Sequence, residues 1–185
     1  SPRLAPELES SLKRYGSYTE LKRAALIIAA AQTDKRSVKK LREEFLKIDT
    51  DASGTINEQE LCAALGVAEL DTPTKDVFAK LDHDRSGEVH YHEFLAATLE
   101  AHELLNEEVL QDTFDRMDHD DSGVISRENL RSLLGSRASD ELVETLMQDG
   151  DLKRNGHVDY EEFSRVMRSG ASGSVDSLED VAPMF

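Results

Sequence analysis

The stretch from Asp49 to Glu60, DTDASGTINEQE, constrains the fold of this chain more than any other. Oxygen-bearing side chains fall at its positions one (Asp49), three (Asp51) and five (Ser53), and Glu60 closes it at twelve. Gly54 stands at six, where the chain must turn sharply and a Cβ obstructs the turn. Thr55 at seven offers its backbone carbonyl, and Asn57 at nine a water-mediated contact. Calcium, a hard cation, takes about six to eight oxygens at roughly 2.3–2.6 Å, and a twelve-residue loop with oxygens at alternate positions supplies them from one segment.

The pattern recurs. A second loop, DHDRSGEVHYHE, places Asp82, Asp84, Ser86, Glu88 (through its carbonyl), His90 and Glu93 in the same slots, with Gly87 at six. A third loop starts at Asp118 and a fourth at Asp151, so the starts are 33, 36 and 33 residues apart. A fixed period of this length means one supersecondary unit repeated, and its rhythm suggests two pairs joined by a longer link. Apolar residues recur in phase. Phe45, Phe78, Phe114 and Met147 precede the loops by four positions, and Leu61, Phe94, Leu130 and Phe163 follow position twelve. Ile56, Val89, Ile125 and Val158 occupy position eight, where β-branching suits a short antiparallel bridge between neighbouring loops. Each pair is therefore expected to form one cooperative helix–loop–helix lobe.

The last two loops depart from the pattern. Loop three keeps Asp118, Asp120, Ser122 and the Val124 carbonyl but has Asn129 at twelve, one neutral oxygen in place of two charged ones. Loop four keeps Asp151, Asn155, the His157 carbonyl, Asp159 and Glu162, but has Lys153 at three. An ammonium cannot ligate calcium, so Lys153 is expected to swing outward and leave its place to water. Ligand charge tunes affinity in such loops, so we expect good calcium sites in loops one and two and weaker ones in three and four. No pair of histidines forms a transition-metal constellation, and the Asp/Glu/Ser company favours calcium over zinc.

A net charge of −16 hides an asymmetry. Residues 12–40 hold eight Lys or Arg against two acids, whereas residues 41–185 carry a net of −21. Such an acidic body excludes nucleic acid as a natural partner and suits cations or a basic helix. The basic arm supplies a candidate. Ser17-Tyr18-Thr19-Glu20 fits a capping box, with Ser17 at N-cap, and opens LKRAALIIAAAQ. Leu21, Ala25 and Ile28 share one face there, with Ala24 and Ile27 beside it. Two readings stand: a helix laid into a groove of the lobes, or an ordinary packed helix with solvated lysines. Val38, Leu41, Phe45 and Ile48 form the next stripe. The run 17–48 is one long helix or two, with Thr33-Asp34 available to cap a restart. Further punctuation is expected from Gly66 and Gly135 as helix stops, Thr72-Pro73 and Ser139 as starts, and Asn106 as the cap at a break within 95–117.

The four loops resemble calmodulin and troponin C over residues 38–168. With LKRYGSYTELKRAALIIAA ahead of the first loop, the chain looks like the junction and calmodulin-like region of calcium-dependent protein kinases. The resemblance implies an all-α, EF-hand fold: four helix–loop–helix units in two pairs, preceded by a basic junction helix. It implies residues 1–36 as the junction and autoinhibitory region, 37–103 as the first EF-hand pair, 104–168 as the second, and 169–185 as a flexible tail. It also implies a mechanism in which the junction helix blocks an attached Ser/Thr kinase domain until calcium-loaded lobes engage it. Leu21, Ile27 and Ile28 are the candidate anchors, and Lys22 and Arg23 are expected to meet acidic rims. No glycine-rich phosphate loop, HRD or DFG sequence occurs, so this chain is not expected to transfer phosphate itself.

A free-standing calcium sensor for other helices is the alternative; it explains the loops but not the basic arm. A calcium buffer is a further rival, less suited to imperfect loops. A single cysteine, Cys62, excludes an internal disulfide and reads as a packing residue in a reducing, cytoplasmic compartment. No apolar run is long enough to span a membrane. The start SPRLAPELES lacks both an apolar signal core and an initiating Met, and suggests a piece of a longer chain whose missing N-terminus leaves lipid anchoring open. Val181, Met184 and Phe185 in the tail could dock in a lobe groove.

Overall fold

Helix punctuation in this chain is written in short polar residues and glycines, and the backbone follows it closely. The computed structural model describes residues 3–68 and 72–170, without the side chains of residues 72 and 73. The expected Thr72-Pro73 cap rests on side chains that are not described, although α5 starts at Thr72, and Val181, Met184 and Phe185 lie outside the described residues. Ten α-helices occur among the described residues: α1 Pro6–Gly16, α2 Glu20–Gln32, α3 Lys39–Ile48, α4 Glu58–Leu65, α5 Thr72–Leu81, α6 Tyr91–Thr98, α7 Glu107–Met117, α8 Arg127–Leu134, α9 Asp140–Gly150 and α10 Tyr160–Arg168. Four two-residue strands join them: β1 Thr55–Ile56, β2 Val89–His90, β3 Val124–Ile125 and β4 Val158–Asp159.

Several starts and stops fall where the sequence places them. Asn106 accepts the Val109 N–H at 3.0 Å and Ser139 accepts the Leu142 N–H at 3.1 Å. Gly66 ends α4 in the left-handed region at φ 72°, a conformation that costs glycine little. The run 17–48 resolves into two helices. Thr33 closes α2 rather than capping α3, its hydroxyl donating to the Ala29 carbonyl at 2.9 Å.

The arm departs from expectation at its beginning. Residues 6–16 form a helix, with Pro6 at its first turn and Leu8, Leu12 and Tyr15 buried. Ser17 therefore ends α1 instead of capping α2. Thr19 caps α2, accepting the Lys22 N–H at 3.3 Å. The Ser-x-x-Glu spacing misleads because Thr19 lies one residue before the first helical position and can serve the same N–H groups.

The lobes are built alike. β1 pairs with β2 through Thr55↔His90 and Ile56↔Val89, and β3 with β4 through Val124↔Asp159 and Ile125↔Val158. Position eight thus meets position eight in both, with all four β-branched side chains buried. Phe45 meets Phe94 at a centroid separation of 5.6 Å in the first lobe, and Phe114 meets Phe163 at 5.5 Å in the second. The core does not stop at the lobe boundary. One apolar cluster runs from Leu4 to Met167 and includes Leu21, Ala25, Leu26 and Ala29 of α2. Helix α2 packs on α6 of the first lobe and on α7, α9 and α10 of the second, while α1 packs on α5 and α6. Burying one Leu contributes roughly 1.5–3 kcal/mol, so Leu21 and Leu26, both fully buried, tie the two lobes to one helix. Among the described residues no helix is long and apolar enough to cross a membrane.

Candidate metal centres and the helix between the lobes

Each loop is held open by its own backbone. In loop one the Asp49 carboxylate accepts the N–H groups of Ser53 at 3.0 Å and Gly54 at 2.9 Å. Asp51 accepts Ser53 N–H at 3.0 Å, and the Ser53 hydroxyl and N–H hold the Asp51 carboxyl below its usual range. Glu60 reaches back from α4. Its Oε1 accepts Thr50 N–H at 2.8 Å and its Oε2 accepts Asn57 N–H at 3.1 Å. The Ser53 hydroxyl donates to the Thr55 carbonyl at 3.2 Å, so that carbonyl faces position five. Carboxylate oxygens of Asp49, Asp51 and Glu60 thereby lie within 4.8 Å of one another.

Loop two repeats this arrangement. Asp82 accepts Ser86 and Gly87 N–H, each at 2.8 Å. Glu93 accepts His83 N–H at 2.7 Å and His90 N–H at 2.8 Å, and Ser86 donates to the Glu88 carbonyl at 2.9 Å. Here Asp84, His90 and Glu93 bring ligand atoms within 4.8 Å of one another, with His90 Nδ1 at 3.6 Å from each carboxylate. The sequence reading places His90 at position nine of this loop and finds no pair of histidines in a transition-metal constellation; the cluster holds a single histidine with two carboxylates. The loop curvature brings position nine opposite position three and places His90 with the two carboxylates. The Thr55 hydroxyl donates to Glu88 at 2.8 Å, linking the two loops of this lobe.

Loops three and four share the frame. Asp118 accepts Ser122 N–H at 3.1 Å and Gly123 N–H at 2.7 Å; Asp151 accepts Asn155 N–H at 2.9 Å and Gly156 N–H at 2.8 Å. The Val124 carbonyl accepts the Ser122 hydroxyl at 2.9 Å, and the His157 carbonyl stands at the matching place, 2.9 Å from the Asn155 side-chain amide that donates to it. Every loop has a left-handed residue at position four (Ala52, Arg85, Asp121, Arg154) and a glycine with φ between 84° and 90° at six. The position-four conformation is not legible from composition, because Ala, Arg and Asp all adopt it.

Their ligands differ. Asn129 uses Oδ1 for Ser126 N–H at 2.9 Å, and its Nδ2 donates to Asp120 at 3.2 Å and meets His119 Nδ1 at 2.9 Å. A donor thus faces position three where loops one and two bring carboxylate to carboxylate, and this bond is the main cause of the lowered Asp120 carboxyl pKa. In loop four Lys153 is exposed. Its Nζ donates to Asp159 at 2.5 Å and Glu161 at 3.0 Å, which raises the ammonium pKa and lowers that of Asp159. Glu162 still reaches back to Lys153 N–H at 2.7 Å and Asp159 N–H at 3.0 Å. The donor sets of loops one and two fit a hard divalent cation; that of loop three does not in this arrangement.

The basic helix lies between the lobes. Leu21 is fully buried against Gly150 and Val158; a Cβ built on Gly150 falls 2.6 Å from Leu21 and 2.7 Å from Val158. Leu21 N–H donates to Asp149 of α9 at 3.2 Å, and burial raises the Asp149 carboxyl pKa. Lys22 does not sit on a rim but is 1% exposed. Its ammonium contacts Glu100 at 2.7 Å, the Ser169 carbonyl at 2.6 Å and the Tyr18 ring at 3.9 Å. Burial lowers its pKa, and Glu100 opposes that. Arg23 is also buried and pairs with Glu20 of its own helix. Ile27 and Ile28 are only half-buried. Leu26 is the deeper anchor, and the sequence reading passes over it because Leu21, Ala25 and Ile28 already form a helical stripe without it.

A family model described as an EF-hand domain pair matches residues 38–99 and 107–168. Calcium-dependent protein kinase 2 of Zea mays is 32% identical over 166 residues, covering 87% of this chain and 32% of that protein. Calcium-dependent protein kinase 9 of Arabidopsis thaliana is 34% identical over 166 residues, 87% of this chain and 31% of that protein. Calcium-dependent protein kinase 7 of Oryza sativa subsp. japonica is 32% identical over 174 residues, 92% of this chain and 32% of that protein. The chain thus spans about a third of the length of these curated relatives.

Proposed function

We propose, from the premise that this chain belongs to the family of EF-hand domain pairs, that it is the calcium-sensing regulatory segment of a calcium-dependent Ser/Thr protein kinase. The relatives' names point to the kinase, and the match extends through the basic arm as well as the loops. Asp49, Asp51, Ser53, Thr55 and Glu60 would hold one calcium, and Asp82, Asp84, Ser86, Glu88 and Glu93 another. Loops three and four would be weaker, through Asn129 and Lys153. Bound calcium supplies a dication that offsets the repulsion among clustered carboxylates.

The observation that carries the regulatory reading is the seat of α2. Both lobes contact it, and Lys22 is bonded to groups from each, Glu100 after α6 and Ser169 after α10. Glu93 sits in the first turn of α6, so whatever fixes Glu93 in loop two also fixes the helix against which α2 packs. These contacts support a reading in which the arm would exchange between the lobes and an attached catalytic domain as loop occupancy changes.

The test separates the arm from the lobes. A peptide of residues 12–32 is titrated into a chain lacking residues 1–36, with calcium and with EGTA. Calcium-dependent binding is expected, and Lys22→Met in the peptide should weaken it. Equal binding in EGTA, or none in calcium, overturns the reading.

A further inference from the structure

A cavity of about 740 Å3 lies between the lobes, bounded by α2, loop two and the α8–α9 connection. Three arginines from three separate elements line it: Arg23 of α2, Arg85 of loop two and Arg137 of the 3-10 turn Gly135–Arg137. Arg23 is 6% exposed. One of its nitrogens pairs with Glu20, while Nε and Nη1 have no hydrogen-bond partner among the described residues. Leaving a buried donor unsatisfied is costly, more so when it is charged. Among the described residues Arg137 reaches only the His83 carbonyl, at 3.5 Å. Neither Arg85 nor Arg137 is among the ion pairs of the described residues.

Most carboxylates on the same walls are already committed. Glu20 serves Arg23, and Asp82 and Asp84 accept N–H groups of their own loop. Only Glu141 lines the cavity with a carboxylate that has no partner among the described residues. The walls carry as many acids as cations, Lys80 included, so it is the unpaired guanidinium donors, those of buried Arg23 above all, that call for an acceptor-rich occupant.

We propose that this cavity is an oxyanion site that takes a phosphoryl group, with Arg23, Arg85 and Arg137 as its ligands. A planar carboxylate is satisfied by one guanidinium fork, whereas a phosphoryl group offers three strong acceptor oxygens in three directions and carries about two charges. The volume lies within the range of small-molecule sites, about 300–1,000 Å3, and leaves room for a body that bears the phosphoryl group. An anion held there would bridge α2 to both lobes.

The test is calorimetric titration of the full chain with inorganic phosphate and with O-phospho-L-serine, at matched ionic strength in chloride. EGTA is present so that no calcium phosphate forms. Saturable binding is expected. Arg85→Gln and Arg137→Gln alter exposed side chains that the core does not need, and each should weaken binding about tenfold, as expected for one charge-assisted hydrogen bond. Arg23→Lys keeps the charge but loses the fork, and should weaken it similarly. Tighter binding of the ester than of inorganic phosphate assigns the site to a phosphomonoester; equal or weaker ester binding assigns it to the free ion. No saturable heat with either probe, or binding unchanged in both Arg85→Gln and Arg137→Gln, overturns the proposal.

Discussion

Lys22 is the most demanding test of how the arm is held. Its side chain is buried between Glu100, the Ser169 carbonyl and the Tyr18 ring. Lys22→Met keeps the apolar stem and deletes the ammonium. Breaking a fully buried pair costs about 3–5 kcal/mol, largely for the stranded partner. Glu100, however, is 23% exposed and keeps the Tyr18 hydroxyl as a donor. Losing the desolvation of Lys22 also offsets part of the cost. The expected destabilisation is therefore about 1–3 kcal/mol. A double-mutant cycle with Glu100→Gln, read by urea unfolding in calcium, isolates the pair, and a coupling of about 1–2 kcal/mol is expected. A coupling near zero, with Lys22→Met as stable as the parent, would refute the claim that this contact seats α2.

Three further outcomes follow from the same contacts. Gly150→Ala places a Cβ 2.6 Å from Leu21 and 2.7 Å from Val158, so it should destabilise the chain by about 1–3 kcal/mol through overpacking and raise hydrogen exchange in α2. Asn129→Glu replaces a neutral donor-bearing amide with a charged bidentate ligand, so calorimetry should show loop three binding calcium more tightly, unless Asp120 is not a ligand. Arg127 bonds Glu144 at 2.5 Å and holds its carboxyl pKa below 4.5. Its contribution is fully present above pH 4.5 and fades as pH falls through the lowered value. The stability gap between the parent and Glu144→Gln, followed by circular dichroism, should therefore close on acidification.

Much of this was legible because the oxygen ligands and the apolar slots repeat in phase. Asp49, Gly54, Ile56 and Glu60, read once, predict a loop; read four times, they predict paired lobes and even the position-eight bridge. Legibility ends where a neighbour outside the repeat decides. Lys22 reads as a charge at an acidic rim, and its burial is explained by Glu100, 78 positions along the chain, with the Ser169 carbonyl and the Tyr18 ring. Leu26 became an anchor because α2 meets helices on more than one side, which a single amphipathic stripe does not express. Helix α1 was missed because two prolines and a glycine mask the Leu8, Leu12 and Tyr15 spacing. His90 at position nine was legible as a loop slot, but that its Nδ1 comes to 3.6 Å from both Asp84 and Glu93 was not.

The central claim is that the lobes are unequal and that loops one and two are the tight sites. Calorimetric calcium titration of the parent beside Glu60→Gln/Glu93→Gln and Glu162→Gln tests it directly. Loss of the tight sites in the double variant, with only weak binding lost in Glu162→Gln, is the predicted result. Disappearance of tight binding in Glu162→Gln would contradict it and place the calcium switch in the second lobe, despite Lys153 and Asn129.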